Sequence, residues 1–189
     1  MTLELGGLTP RVDVRGAREC LTLTASGRGA AALVVERGDA RIVAVWEPLL
    51  AGPESALRAQ LASALGTSSP ADVVARCRAD GASVVVAEVR GRGDVQLVGW
   101  AAPSVLHVAA GRPGLTPMPV PTVEPVGVQL EPGELLVLCS PGVLVQPPAC
   151  LHAEAAALCP PGGPDAWDWA WQGLVEPLAD GAVALLQAA

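Results

Sequence analysis

The sequence has few of the residues that mark the commonest functional classes. Its 189 residues include no Phe and no Tyr, and the aromatic share of 3% comes from five Trp. There is no Lys either: all twelve cationic residues are Arg, against nineteen Asp and Glu, which gives a formal net charge of −7. A nucleic-acid-binding protein needs a basic face to displace counterions. We therefore expect no nucleic-acid partner.

The chain also lacks long apolar runs and paired cysteines. Runs such as residues 84–87 and 135–138 are far below the roughly 20 residues that span a bilayer. The first fourteen residues carry Glu4 and Asp13 where a secretory leader has a basic and then an apolar region. The five Cys form no CxxC pair, which is typical of reduced thiols and argues against a Cys-based zinc site. These features predict a cytoplasmic protein that does not enter a membrane.

What the chain does have is apolar sequence, 51% of all residues, in short runs between turns. That content excludes disorder, and the length suits a single domain over residues 1–189. Gly and Asp turns in the first third predict strands at 21–24, 31–35 and 41–46. Two helices follow, one from Pro53 to Gly66 and one that starts at Ser69 and Pro70, where Ser is a favoured cap.

The rest of the chain is mostly predicted strand. Residues 113–125 are rich in Pro and must be extended or irregular, because Pro lacks the donor that a sheet needs. We expect an edge segment of a sheet or a loop across the surface. Helices grouped between blocks of antiparallel strands indicate an α+β layered sandwich. The remaining predicted strands are 83–89, 95–100, 104–109, 126–130, 135–139 and 182–187, and the remaining predicted helices are 149–158 and 164–178, the latter with Trp167 and Trp171 on one face.

This order, together with four local patches, resembles the metal-dependent protein phosphatases of the PPM type, in particular the bacterial branch that includes the stage II sporulation phosphatases. Residues 38–45 are similar to the hairpin that leads into the family's Gly-Asp-Val-x-Gly-His-Gly motif. Residues 95–107 are similar to a later hairpin, and residues 130–144 to Leu-x-Pro-Gly-Asp, four apolar residues, then Thr/Ser-Asp-Gly-Leu. Asp180 and Gly181 resemble the closing Asp-Asn/Asp motif.

The resemblance implies a four-layer αββα sandwich, in which two antiparallel sheets are flanked by helix pairs. It also implies a cluster of Asp carboxylates that hold two Mg²⁺ or Mn²⁺ ions, which activate the water that attacks a phosphate. On this alignment Glu47 stands where the family has its central bridging Asp. Glu19 is the acidic residue near the start, and Asp180 is the closing Asp.

The departures from the family pattern decide the functional prediction. Pro141 stands where a further metal-binding Asp is expected, and Pro offers no side-chain oxygen. The resemblance thus leaves a degenerate metal site of Glu47, Asp180 and Glu19. We predict a PPM-type domain that has lost catalysis, a pseudophosphatase with no catalytic residues and no bound cofactor. It would act as a binding or regulatory module in bacterial signalling, with a protein partner; a phosphoprotein is one candidate.

Two other hypotheses stay open. The chain could be an atypical Ser/Thr phosphatase that uses Mn²⁺ or Mg²⁺ on Glu19, Glu47 and Asp180, or a structural, oligomer-forming β-rich domain with an accidental likeness. Asp180 and Glu47 also have ordinary explanations. An Asp-Gly pair such as Asp180 and Gly181 is a common turn before a strand, and Glu47 before Pro48 is compatible with a solvated strand end.

Overall fold

The computed structural model describes residues 11–17, 20–49, 54–91, 93–101, 103–109, 116–145 and 180–188. These residues form eleven β-strands, two α-helices and one 3₁₀ helix. The helices are α1 (Glu54–Thr67), α2 (Pro70–Ala79) and the 3₁₀ helix Pro141–Val145. The strands are β1 (Arg11–Ala17), β2 (Cys20–Ser26), β3 (Ala31–Arg37), β4 (Ala40–Pro48), β5 (Ala82–Arg90), β6 (Asp94–Trp100), β7 (Ser104–Val108), β8 (Thr116–Met118), β9 (Val126–Gln129), β10 (Leu135–Cys139) and β11 (Ala182–Ala188).

The strands make two sheets. The six-stranded sheet has the order β1-β2-β11-β10-β7-β8, and the five-stranded sheet has the order β3-β4-β5-β6-β9. Every pairing between these strands is antiparallel. The last strand, β11, lies between β2 and β10, so the two ends of the chain meet in one sheet. The predicted α+β sandwich is confirmed.

The main core lies between the two sheets. Alternate residues of β4, such as Val43 and Val45, face the six-stranded sheet and meet Leu136 and Leu138 of β10 and Leu186 of β11 in one buried cluster. Burying a Val or Leu side chain of this kind contributes about 1.5–3 kcal/mol. This cluster fixes the distance between the sheets, and with it the relative position of the loops at their ends.

The other face of the five-stranded sheet packs on the two helices. Ile42, Ala44 and Trp46 of β4 contact Leu65 of α1 and Val73 of α2, together with further buried residues of both helices. Both faces of β4 are covered, so apolar and polar residues do not alternate along it. Residues 42–46 are instead a continuous apolar run. The helix pair that the sequence predicts for this sheet is confirmed.

Helix α2 begins as predicted. Ser69 is extended, its hydroxyl accepts the N–H of Asp72 at 3.2 Å, and Pro70 occupies the first turn. The Ser69 hydroxyl also donates to the Asp72 carboxylate at 2.7 Å. The first of these bonds satisfies a backbone N–H that the first turn of a helix leaves without an internal partner, and the second fixes the Ser69 hydroxyl.

The outer face of the six-stranded sheet is buried as well. Val137 and Cys139 of β10 and Val183 and Leu185 of β11 point away from the other sheet, and each is at most 1% exposed. The helices predicted at 149–158 and 164–178 lie outside the described residues. The second helix layer of the four-layer sandwich therefore stays a prediction.

The structure adds strand β1 and a 3₁₀ helix that the sequence did not predict, and it makes part of the Pro-rich stretch the edge segment that the sequence allowed. Strand β1 (Arg11–Ala17) pairs with β2 along the edge of the six-stranded sheet. Strand β8 falls inside the Pro-rich stretch 113–125 and forms the opposite edge of the same sheet. The 3₁₀ helix Pro141–Val145 directly follows β10. Among the described residues, no helix is long and apolar enough to cross a membrane.

Candidate functional site

Several chain segments meet at one end of the sandwich, where β4 and β10 end and β11 begins. We call this place the β4–β11 corner and define it by Glu47, residues 140–143, Asp180 and Gly181. It contains two of the three acidic residues predicted from the sequence. The tertiary structure brings these segments together from positions that are far apart in the chain.

Glu47 lies near the end of β4, on the face of the strand that carries Val43 and Val45. Its carboxylate therefore points toward the six-stranded sheet. Oε2 of Glu47 accepts the backbone N–H of Gly142 at 2.8 Å, across a sequence separation of 95 residues. The solvated strand end considered from the sequence is wrong, since the side chain is partly buried and bonded to another element.

Asp180 lies beside the same corner, immediately before β11. It is exposed, and its backbone forms an isolated parallel bridge with Arg28, which follows β2. Next to it, the carbonyl of Gly181 accepts the N–H of Gly27 at 2.7 Å. These contacts tie Asp180 and Gly181 to the residues that follow β2, while the part of the expected turn before Asp180 lies outside the described residues.

Gly181 packs tightly on the segment that follows β10. A Cβ at this position would lie 2.8 Å from Val143 Cγ2, 2.9 Å from the Val143 nitrogen and 3.0 Å from Ser140 Oγ. Its φ of +87° also belongs to the left-handed region that favours glycine. Asp180 is therefore held beside the 3₁₀ helix by a backbone contact that only glycine permits.

Ser140 has a structural role in this corner. Its hydroxyl accepts the N–H of Ala182 at 2.9 Å, its own N–H donates to the Ala182 carbonyl at 2.9 Å, and the residue is 1% exposed. A buried hydroxyl that is already bonded to backbone is not available as a nucleophile. This agrees with the sequence, in which Ser140 lacks the surroundings of a nucleophile elbow.

The third predicted acidic residue, Glu19, lies outside the described residues. Pro141, where the resemblance expects an Asp, is the first residue of the 3₁₀ helix. The corner as described therefore offers the carboxylates of Glu47 and Asp180, and none from Pro141. Only the family resemblance predicted that these residues lie close together. Their spacing along the chain does not show that Glu47 contacts Gly142.

The described residues of this corner do not by themselves fit a two-metal centre of the kind that the PPM resemblance implies. Over the described ranges, no group of three or more His, Cys, Asp or Glu side chains could hold a metal ion. One oxygen of Glu47 is already bonded to the main chain. In the same ranges, every buried side-chain nitrogen or oxygen has a hydrogen-bond partner, so no buried donor or acceptor there requires a ligand.

Other chemistry-bearing groups lie elsewhere and are bonded or buried. His107 contacts Glu134, with 3.2 Å between Nε2 and Oε2, at the end of β10 away from the β4–β11 corner. Cys77 and Cys139 are buried free thiols. Burial raises the pKa of each thiol from 9.0 to about 12, so neither forms a thiolate nucleophile near neutral pH. These residues define no second catalytic centre.

A cavity between the helix pair and the five-stranded sheet is too small for a ligand. It holds about 20 Å³, which is room for one water molecule. Trp46, Leu61 and Cys77 are among its lining residues. Of the features described here, the β4–β11 corner is the one at which a PPM-type function would be located.

Comparison with solved structures identifies the fold as that of PPM-type phosphatases. The structure of RsbX in complex with magnesium superposes with a TM-score of 0.66 and 12% identity, over 95% of this chain and 100% of that chain. The serine/threonine phosphatase of S. agalactiae superposes with a TM-score of 0.61 and 11% identity, over 97% of this chain and 99% of that chain. A further match is a chain from work on the bacterial stressosome, described as a modular system adapted to control secondary messenger signaling. It superposes with a TM-score of 0.53 and 20% identity, over 90% of this chain and 98% of that chain.

Sequence comparison adds no closer relative: no protein-family model matches the chain, and no curated protein matches it significantly. The low identities to the solved structures establish the fold alone. A fold shared over nearly the whole chain, with a helix pair on the five-stranded sheet, is incompatible with the hypothesis of an accidental likeness.

Proposed function

We propose that this protein is a PPM-fold domain without phosphatase activity, and that it serves as a protein-binding regulatory module in bacterial signalling. The observation that carries the proposal is the composition of the β4–β11 corner. Pro141 supplies no side-chain oxygen there, and the carboxylate of Glu47 is bonded to Gly142. A two-metal phosphatase needs several carboxylates at this place, because the ions position the water that attacks the phosphate.

The magnitude of the expected defect supports this proposal. Disturbing even the residues that orient metal ligands typically reduces metal affinity by about 10- to 100-fold. Loss of a directly bound carboxylate should cost more than that. Glu47 and Asp180 alone would therefore hold Mg²⁺ or Mn²⁺ weakly.

The binding role is supported by the kinds of protein that share the fold. One of them comes from work on the stressosome, a signalling assembly. A scaffold of this kind can recognise a protein without turning it over, and a phosphoprotein is the partner class closest to the chemistry of the fold. The buried reduced thiols of Cys77 and Cys139 are compatible with work in the cytoplasm.

The test is calorimetric titration of Mn²⁺ and Mg²⁺ into the metal-stripped full chain. We expect no stoichiometric binding up to millimolar metal. Asp180→Ala and Glu47→Ala serve as matched variants, and Glu124→Ala, an exposed carboxylate in the Pro-rich segment, serves as the control. A phosphopeptide panel assayed with the same samples should show no metal-dependent hydrolysis.

The alternative is an atypical Ser/Thr phosphatase that uses Glu19, Glu47 and Asp180. It predicts micromolar metal binding that Asp180→Ala and Glu47→Ala both abolish, and hydrolysis that Asp180→Asn removes. That result would overturn the pseudophosphatase proposal. Stoichiometric binding is the better readout, because a contaminating phosphatase can produce hydrolysis but not stoichiometric binding.

A further inference from the structure

The hydrogen bond between Glu47 and Gly142 links the two sheets directly at the β4–β11 corner. Glu47 belongs to the five-stranded sheet, and Gly142 follows β10 of the six-stranded sheet. The bond length of 2.8 Å is typical of a bond from N–H to a charged carboxylate. Such a bond is stronger than a bond between neutral groups.

The carboxylate sits flat against the main chain of Gly142. A Cβ on Gly142 would lie 2.9 Å from Oε1, 3.0 Å from Oε2 and 3.3 Å from the carboxyl carbon of Glu47. Any side chain at this position would push the carboxylate away. Glycine at 142 and glutamate at 47 therefore fit each other as a pair.

The same segment is held from its other side by β11. Gly181 contacts Val143, and Ser140 exchanges two hydrogen bonds with Ala182. The residues that follow β10 are thus fixed between β4 and β11 by direct protein contacts. In the resembled family, metal ions held by carboxylates join these same segments.

We infer that Glu47 is a positioning residue that closes the β4–β11 corner without metal, by clamping the main chain of Gly142. The inference rests on the proposed function, since it explains how a PPM fold keeps the shape of this corner after losing its ions. A glutamate reaches one methylene further than the Asp expected at this position. That extra length lets the carboxylate contact the opposite backbone directly.

The test is amide hydrogen exchange at Gly142, measured by NMR on the full chain in EDTA and in Mg²⁺. The wild-type rate should be the same in both. Glu47→Ala should accelerate exchange at Gly142 by about 10- to 100-fold, which is the loss of one charge-assisted bond expressed as a rate ratio. Glu47→Gln keeps an acceptor oxygen of the same reach but not the charge, so its exchange rate at Gly142 should lie between those of wild type and Glu47→Ala.

Controls separate a local effect from general destabilisation. The amide of Val86, in the central strand β5, exchanges only when the whole protein opens. Its exchange rate should not change with Glu47→Gln. Glu124→Ala should leave the exchange rate of the Gly142 amide unchanged. If Glu47→Ala does not fold, Glu47→Asp takes its place: it keeps the charge, lacks the reach, and should also accelerate exchange at Gly142.

The outcomes distinguish this inference from the proposed function. Equal Gly142 exchange in wild type, Glu47→Ala and Glu47→Asp would overturn the clamp, while absence of metal binding would still support the pseudophosphatase. Slowing of Gly142 exchange by Mg²⁺, lost in Asp180→Ala, would mean that metal closes the corner. That result would overturn both proposals.

Discussion

Oε1 of Glu88 accepts two hydrogen bonds from the guanidinium of Arg90, from Nε at 3.0 Å and from Nη2 at 2.6 Å. The Glu88 side chain is only 5% exposed and lies on the helix-facing side of β5. Arg37 approaches its other oxygen at 3.6 Å and also donates to the carbonyl of Ser68, between α1 and α2. The hydrogen bonds and charge of Glu88 raise the pKa of Arg90. One buried carboxylate thus connects the sheet to the turn between the helices.

We expect Glu88→Ala to lower the free energy of unfolding by about 1–3 kcal/mol, because it removes the acceptor of Arg90 and the ion-pair partner of Arg37. The loss stays in this range because both guanidinium groups are partly exposed and can bind water. Urea denaturation measures it. Glu124→Ala, at an exposed position, should change stability by less than about 0.5 kcal/mol. Equal effects of the two substitutions would contradict the role given to Glu88.

The contact of Gly181 with Val143 predicts a second loss of stability. Gly181→Ala places a Cβ within 3.0 Å of three atoms and forces φ of +87° on a residue with a side chain. We expect a cost of about 2 kcal/mol or more. Gly66→Ala is the matched control: Gly66 lies in α1 with no atom within 4 Å of the added Cβ. There alanine should stabilise the protein by about 0.5–1 kcal/mol. Thermal melts that show the two substitutions shifting Tm in the same direction would refute this account.

Burial of Cys77 and Cys139 predicts unreactive thiols. Iodoacetamide at pH 8 should modify these two residues only when the protein opens, so their labelling rates in the native state should be far below those in urea. Mass spectrometry of peptides resolves each cysteine separately. Rapid modification of either thiol in the native protein would show that the site is accessible.

The same thiols predict how stability depends on alkaline pH. In the unfolded chain a thiol loses its proton near pH 9.0, whereas the folded protein retains it to about pH 12. Between these values the unfolded state binds fewer protons, so stability falls as pH rises, by up to about 1.4 kcal/mol per pH unit for each thiol. Melts from pH 8 to 11 should show this slope, and Cys77→Ala and Cys139→Ala should each reduce it. A slope unchanged in both variants would assign it to other groups.

Pro141→Asp tests whether the corner lacks only a carboxylate. It adds an acidic side chain next to Gly142 and near Asp180, so we expect a gain in Mg²⁺ affinity of about 10-fold or more over wild type. Pro132→Asp, in the turn at the other end of β10, adds the same charge away from the corner and should bind no additional metal. Calorimetry compares the two. Equal binding by both variants would show that Pro141 is not at a metal position.

The sequence predicted most of the strands because a buried strand face appears in the sequence as a run or an alternation of apolar residues. The run 42–46 in β4 is apolar on both faces, and the Ser69 cap with Pro70 marks the start of α2. Strand β1 was missed although residues 11–15 alternate charged and apolar side chains, which is the pattern of a strand; the run is short, and Gly16 interrupts it. For strand β8 the sequence left an edge segment and a surface loop as alternatives, because Thr116–Met118 contains a proline and proline in a sheet is confined to its edges.

The sequence by itself determined the class of fold, since period, turns and caps are properties of neighbouring residues. It also determined which residue types stand at the β4–β11 corner, including the proline at 141. Only the tertiary structure decided what those residues do. The bond from Gly142 to Glu47 joins positions 95 residues apart, and the arginines around Glu88 come from two different strands. Such contacts depend on how the sheets stack, because the packing of the core brings distant segments within hydrogen-bond distance.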